Sequence, residues 1–577
     1  MKKAMTGAEM ILHALKQENV KAVFGYPGGA VLDIFDKMYN QDVPFYLTRH
    51  EQGAVHAADG YARASGNVGV CIATSGPGAT NLVTGLATAC MDSIPIVAIT
   101  GQVHTHLIGN DAFQEADVVG ITRSVTKHNY LVQTIEELPK ILKSAFYVAR
   151  SGRPGPVVVD VPKDIQQQKT TADYPDSVEI RSYKPTIAGH TRQIKKAAQM
   201  IAEAERPVIY AGGGVVASDA SEELQEIAAL MDIPVTTTLM GLGAFPETDP
   251  RALKMLGMHG TAYANYAIQE CDLLIAVGAR FDDRVTGKVD RFAPKAKVIH
   301  IDIDPTTIRK NVEVDLPVVG DVKHVLRQLL TYTEKKKNPE WMAQIKKWKD
   351  ENPLQYKENG MIQPQYVVEQ IADLAKHNAI ITTEVGQNQM WSAQFYDYVK
   401  PRTFISSGGL GTMGYGFPAA IGAQVAKPDS LVVDIAGDGS IQMNIQEMAT
   451  AVLYQIPVKI VILNNQSLGM VRQWQGIFYD RQFSHTCLRR NISCPPHCDG
   501  SNDNCPLLYV PNFVKLAEAY GATGFFADKS EQVRPTLEKA FEIPGPVVIE
   551  FKISEEENVY PMVPAGAPID KMIRGMA

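Results

Sequence analysis

Two hydrophobic patterns alternate along the chain. Short runs rich in Val and Ile, such as IPIVAIT (94–100), LVVDI (431–435) and IPVKIVIL (456–463), have strand length and end at Gly, Pro or Asn. Between such runs, apolar residues recur at helical spacing. In SIQMNIQEMATAVLYQ (440–455), Ile441, Ile445, Met448, Val452 and Leu453 predict one buried helix face. The opening MKKAMTGAEMILHALKQENV reads as an amphipathic helix. Strand, glycine turn and helix in repeated succession predict parallel α/β layers. Two stretches interrupt the pattern. Residues 166–189 are polar and aperiodic, and residues 333–360 are highly charged with room for one helix. Taken as linkers, they leave blocks at 1–165, 190–332 and 361–553, followed by a tail at 554–577.

The first and third blocks resemble each other. ATACMDSIPIVAI (87–99) aligns in register with ATAVLYQIPVKIV (449–461), and RPGPVVVDV (153–161) aligns with IPGPVVIEF (543–551). In both blocks a glycine corner comes first, SGPG at 75–78 and GDG at 437–439. The shared order predicts a duplicated α/β unit. The middle block repeats only LMDIPVTTT (230–238). From Pro95 to Pro154 is 59 residues, whereas from Pro457 to Pro544 is 87, so the third block carries 28 more.

Composition adds bounds. A chain of 577 residues suggests about three domains. Net charge is −7 with no basic run, which argues against nucleic acid or an anionic membrane as partner. No apolar run reaches membrane-spanning length, and the start lacks the pattern of a cleaved leader, so a cytoplasmic location is expected. Of seven cysteines, Cys71, Cys90 and Cys271 sit among apolar residues and read as buried small hydrophobes.

The chemistry concentrates in GDGSIQMNIQEMATAVLYQIPVKIVILNN (437–465). It reads as the end of one strand, a helix and the whole of the next strand. Such a crossover sets both strands parallel, so that Asp438 and Asn465 emerge together at their carboxyl ends, where open α/β sheets bind ligands. A carboxylate and an amide oxygen there suit Mg²⁺, which shares its octahedron with phosphate oxygens. Glycines 437 and 439 admit a close backbone, and a helix N-terminus beyond them favours anions. Either half alone is more simply a turn or a strand end. Both together, one crossover apart, predict a metal–diphosphate site.

GDG, some two dozen residues and then NN is similar to the signature of thiamine-diphosphate-dependent enzymes. GGLGTMGYGFPAAIG (408–422) and LNNQSLGMVRQWQ (463–475) resemble the catalytic subunits of acetohydroxyacid (acetolactate) synthases, and the resemblance runs from GYPGGAVLDIFD (25–36) to YPMVPAGAP (560–568). It implies three consecutive α/β domains with central, mostly parallel sheets: pyrimidine-binding, FAD-binding and diphosphate-binding. It also implies thiamine diphosphate, Mg²⁺ and FAD as cofactors and 2-ketoacids as substrates, as well as a homodimer or homotetramer with active sites at the subunit interface. A small regulatory subunit is a further possible partner.

Residue roles follow by match. Glu51, in the first turn of a helix within LTRHEQGAVHAADGYARASG (47–66), would hydrogen-bond the aminopyrimidine; alone, it would read as an acid complementing a helix dipole. A carboxyl group in an apolar site can share a proton with the ring. Tyr26, Pro27 and Gly28 would lie near the reacting carbon, Pro77 and Asn81 in the pyrimidine pocket, and Phe113, Gln114 and Lys163 beside the substrate. Alone, Phe113 would read as core and Lys163 as solvated surface. Gly411 and Met413 would support the bent cofactor. Val385, Gly386, Gln387 and Asn388 would form a diphosphate turn, where the family often has His in place of Asn388. Asp438, Gly439, Ser440, Asn465, Ser467, Leu468, Gly469 and Met470 would complete that pocket, with Asp438, Asn465 and the Ser467 carbonyl on the metal. Val471 and Trp474 would contact the second ketoacid. Arg153, His259, Arg280, Asp302 and Asp321 would hold a largely structural flavin.

The implied activity is decarboxylation of pyruvate and transfer of a hydroxyethyl unit to pyruvate or 2-ketobutyrate, in branched-chain amino acid synthesis. A flavin oxidoreductase resembling pyruvate oxidase is the alternative, as is an inactive relative. One stretch has no counterpart in the family: HTCLRRNISCPPHCDGSNDNCPLLYVP (485–511), whose four cysteines and two histidines lack paired CxxC spacing. The expectation for 487–510 is a disordered or anomalous insertion rather than a zinc site.

Overall fold

Three six-stranded parallel sheets follow one another along the chain in the computed structural model, which describes residues 4–39, 43–358, 360–489 and 511–575. The first sheet contains Val23–Gly25, Phe45–Leu47, Gly69–Ala73, Ile96–Gln102, His128–Leu131 and Val157–Pro162. Numbered as they occur along the chain, its strands lie side by side in the order 2-1-3-4-6-5. The third sheet contains Ile380–Thr383, Phe404–Ile405, Val432–Gly437, Lys459–Asn464, Thr523–Ala527 and Val547–Lys552, in the same order 2-1-3-4-6-5. The two sequence repeats fall on the fourth and sixth strands of each sheet, so the duplication read from sequence is a duplication of topology.

The middle sheet is wound differently. Pro207–Ala211, Val235–Thr237, Ala252–Met255, Leu273–Val277, Lys297–Asp302 and Leu316–Val319 lie in the order 3-2-1-4-5-6. That is the doubly wound nucleotide-binding order, with its switch point between the first and fourth strands.

Alternation along each strand fills two cores per sheet. In Ile96–Gln102, Val97 and Ile99 pack on one face with Leu142 and Phe146, while Ile96 and Ala98 pack on the other with Leu86 and Ala89. Sheets covered on both faces explain the near-continuous apolar runs of the sequence. The interrupting stretches are not free tethers. Tyr174, Ile180 and Tyr183 lie against the first core, and the helix Pro339–Glu351 buries Trp341 and Ile345 in the middle one.

The first and third units meet through two helices, Glu51–Ser65 and Gly416–Ala426. Glycines permit the approach: a Cβ on Gly60 would strike the Ala419 carbonyl, and one on Gly422 the Ala57 carbonyl. Asp92 carries the contact further, pairing with Arg63 at 2.9 Å and accepting the N–H groups of Gly408 and Gly409 at 3.0 and 2.7 Å.

One expected element differs. Residues 440–455 do not form a single helix; they make 3-10 turns at Ile441–Met443 and Ile445–Glu447, then the short helix Met448–Leu453. Asn444 breaks the run because its side-chain amide donates to the Gly414 carbonyl at 2.6 Å, and Leu453 points to solvent. The element after GDG therefore begins as a 3-10 turn, not an α-helix N-terminus.

Cys71 and Cys271 are buried, and burial pushes the Cys71 thiol up to about 12. The cysteine-rich insertion lies, from residue 490 to 510, outside the described residues. Among the described residues no three His, Cys, Asp or Glu side chains gather as a metal site, and no helix is long and apolar enough to cross a membrane.

Candidate active site

At the carboxyl edge of the third sheet lies a cavity, the place where open α/β sheets bind ligands. Strand Val432–Gly437 delivers Asp438 and strand Lys459–Asn464 delivers Asn465; Gly437 and Leu463 are partners in the parallel ladder between them. Both residues line the cavity, together with Val385–Asn388, Met413, Gly439, Ser440 and Ser467–Val471. The convergence of Asp438 and Asn465 is thus a consequence of one parallel crossover. Gly411 is not on the wall itself but stands behind Val385.

The walls carry complementary charge. The helix Gln387–Phe395 points its N-terminus at the cavity without a side-chain cap, and the helix Gly469–Phe478 does the same. Uncapped N–H groups and the helix dipole favour an anion there. Between them sits Asp438, almost wholly buried, with Oδ2 lacking any partner. Burial raises its carboxyl to about 7, partly offset by nearby backbone N–H groups, those of Asn465 and Gln466 among them. An orphaned buried carboxylate beside two anion-seeking helix ends fits a cation carrying a diphosphate. The Asn465 Oδ1 accepts the Ser467 N–H at 3.1 Å, and its Nδ2 donates to Gln387 at 3.2 Å, which fixes the amide between the two helix ends. Gly469 leaves room for the Gln387 and Asn465 amides, which a Cβ there would displace.

Asn388 behaves differently from expectation. Its side-chain amide donates to the carbonyls of Glu384 and Ile435, at 3.0 and 2.7 Å, so both its N–H atoms are spent inside the protein. Only its backbone remains for a phosphate. A roof that sequence reasoning missed covers the Ser467 end of the cavity. Ser467 pairs with Cys487, Leu468 donates to Thr486 at 2.8 Å, and Leu488 approaches Gly439.

The first-block candidates form a separate face at the carboxyl edge of their own sheet. Glu51 opens its helix and accepts the Asn81 amide at 3.0 Å. Gly28 abuts Thr74, Gly76 abuts Gln114, and Lys163 donates to the Gly29 carbonyl at 3.0 Å. Tyr26 is 41% and Phe113 88% exposed, so Phe113 is not a core residue. Pro77 begins the turn that carries Asn81. None of these residues lines the cavity of the third unit.

Glu447, nine residues beyond Asp438, reaches instead to the start of the Glu51 helix. Its carboxylate accepts the Arg49 N–H at 3.0 and 3.1 Å and the Thr450 hydroxyl at 2.7 Å. Gly53 leaves room for it. No local pattern marks this contact, because its partners are some 400 residues apart.

On the substrate side, Val471 is 52% exposed at the cavity mouth. The Trp474 ring carries Arg284 of the middle unit 5.5 Å above its centroid. Sequence reasoning took GARFDDR for a nucleotide segment and passed over Arg284. The flavin candidates lie apart from the cavity. Arg280 follows strand Leu273–Val277 and approaches Gly409. Arg153 pairs with Asp304 at 3.3 Å. Asp302, raised by burial to about 6, ends its strand. Asp321 caps the helix Val322–Leu330, and buried His259 has an unpartnered Nδ1. At the switch point Gly212 and Gly278 pack closely, where a Cβ on Gly212 would strike the Gly278 carbonyl; open α/β sheets bind ligands at such a point.

Comparison with known families agrees with this layout. Three family models match in the order of the three sheets: the N-terminal TPP binding domain of thiamine pyrophosphate enzymes over residues 5–121, their central domain over 194–329, and their C-terminal TPP binding domain over 384–551. The chain is 50% identical to a probable acetolactate synthase large subunit of Methanocaldococcus jannaschii, across 99% of this chain and 95% of that protein. It is 47% identical to the acetolactate synthase large subunit of Haemophilus influenzae, across 99% and 98%. For the Corynebacterium glutamicum large subunit the figures are 49%, 98% and 89%.

Proposed function

The chain belongs to the acetolactate synthase large-subunit family of thiamine pyrophosphate enzymes, and from that footing we propose that it condenses two 2-ketoacids with loss of CO₂. Pyruvate is the donor. A second pyruvate or 2-ketobutyrate is the acceptor, giving 2-acetolactate or 2-aceto-2-hydroxybutyrate for valine, leucine and isoleucine synthesis. The observation that carries this reading is the cavity in which an unpartnered Asp438 oxygen lies between two uncapped helix N-termini.

Asp438, Asn465 and the Ser467 carbonyl are the ligands proposed for Mg²⁺, with the N–H groups of the Gln387 and Gly469 helices around the diphosphate. Bound thiamine diphosphate would supply the nucleophilic carbon for the decarboxylation and the two-carbon transfer. Met413, on the cavity wall, would support the bound cofactor. Glu51 would share a proton with the aminopyrimidine. Its own chain's cavity excludes it, which supports a homodimer in which each Glu51 serves the other subunit's diphosphate site. The exposed Tyr26 and Phe113 are part of the apolar surface such an interface would cover. Trp474 flanks the acceptor, and the guanidinium of Arg284 above it is set to pair with the acceptor's carboxylate.

FAD at the switch point of the middle unit is part of the proposal, in a structural role, since the condensation needs no net oxidation. So are a cytoplasmic location and a small regulatory subunit. Incubation with pyruvate, thiamine diphosphate and Mg²⁺, with and without FAD, is expected to yield acetolactate without net flavin reduction. No product, together with no calorimetric heat on adding thiamine diphosphate in magnesium buffer, would overturn the reading.

A further inference from the structure

We propose that Glu384 and Asp434 act as a buried carboxyl pair, one ionised and one protonated, that clasps the backbone of residues 414–417 and thereby positions Met413 under the bound thiamine. This deepens the proposed function and rests on it.

Both side chains are fully buried. Glu384 stands between the strand Ile380–Thr383 and the helix Gln387–Phe395, one residue ahead of Val385 on the cavity wall. Its carboxylate accepts the N–H of Gly414 at 2.6 Å and that of Phe417 at 3.2 Å, and the N–H groups of Tyr415 and Gly416 face it as well. Asp434 lies on the neighbouring strand opposite Thr382, whose hydroxyl donates to its Oδ1 at 3.1 Å; its Oδ2 has no partner. Gly416 fits between the two acids, where a Cβ would strike Asp434.

Two carboxylates in one dry space do not both ionise. The groups acting on Asp434 are Glu384 and Thr382, with no cation among them. Burial raises the Glu384 carboxyl as well, to about 7, but four converging N–H groups oppose that rise, so the pair's charge falls on Glu384 and Asp434 keeps the proton. Desolvation and the neighbouring acid hold Asp434 well above the usual carboxylate range, in keeping with that assignment. The result is a carboxyl that carries the pair's charge at the start of the helix Gly416–Ala426, tied to the residue that follows Met413. The other side of Met413 is held through Thr412, whose N–H donates to Ser407 at 3.0 Å. Met413 is therefore pinned from both sides while its side chain faces the cavity.

The test compares Glu384→Gln, Asp434→Asn, Met413→Ala and the double variant Glu384→Gln/Met413→Ala in the full-length enzyme. The direct readout is the rate of hydrogen–deuterium exchange at the thiazolium carbon of bound thiamine diphosphate. Glu384→Gln is expected to slow exchange and kcat by about 30-fold, with KM for pyruvate and the cofactor Kd held within about threefold. Asp434→Asn, which copies the protonated acid, should cost about threefold at most and should remove a protonated-carboxyl stretch from the infrared spectrum. The double variant should be no slower than the worse single one, because both act through the same prop. Should Glu384→Gln not fold, Glu384→Asp, which withdraws the charge by one methylene, carries the same test. Normal exchange in the Glu384 variant, additive losses, or equal damage from Asp434→Asn would overturn the clasp. Failure of the wild-type protein to bind thiamine diphosphate would instead overturn the parent reading.

Discussion

At the scale of single residues, the cavity's chemistry depends on groups placed without partners. Asp438 is one: its buried, unpaired oxygen costs free energy until a cation meets it. Asp438→Ala should therefore abolish magnesium-dependent thiamine diphosphate binding in a fluorescence titration, with turnover falling at least about 100-fold. Glu51 predicts the opposite split. Glu51→Gln keeps the shape and the Asn81 contact but not the acid, so cofactor affinity should stay near normal while kcat drops about 100-fold or more. Near-normal turnover in that variant would refute the role. A third residue reports on stability. His56 is fully buried against Tyr415, and burial lowers its pKa to about 3. The unfolded chain binds a proton there below its ordinary value of 6.5, and the folded chain refuses it until about 3. Stability is thus full above pH 6.5 and falls with acidification, by about 2 kcal/mol at pH 5 from this group. Denaturant unfolding at pH 7 and pH 5 should show a correspondingly smaller difference for His56→Asn.

Among elements, the contact between Glu51–Ser65 and Gly416–Ala426 decides how the first unit sits on the third. Its glycines were visible in the sequence, but nothing local says which backbone they meet. Gly422→Ala should lower stability by about 1–3 kcal/mol, seen as a reduced Tm, because the new methyl strikes the Ala57 carbonyl. Glu447 acts at the end of the same helix. Glu447→Ala should cost about 1–2 kcal/mol and reduce kcat as well, since the partly buried Arg49 and His50 N–H groups it accepts lie within two residues of Glu51. The misread helix at 440–455 teaches the same lesson. Its period was sound in part, since Ile441 and Met448 are buried, but the Asn444 hydrogen bond to Gly414 outweighs local propensity.

For the whole molecule, the duplicated topology puts two similar sheets at the ends of one chain and leaves the candidate site split between them. If Glu51 serves a partner's cavity, inactive Glu51→Gln and Asp438→Ala chains should complement each other. Refolded together in equal amounts, they should recover about a quarter of wild-type activity, because half the dimers are mixed and each has one intact site. No recovery would place both residues in a site within one chain. The amino-acid sequence by itself determined the α/β class, the repeated unit and the pairing of Asp438 with Asn465, because hydrophobic period, glycine corners and a single crossover are local and set by neighbours in the chain. Only the tertiary structure decided that Glu447 grips the turn ahead of the Glu51 helix, that Arg284 stands over Trp474, and that Glu384 and Asp434 share a dry space behind Met413. Each of those contacts joins separate strands, loops or units, and its strength comes from burial and from donors that folding alone brings together.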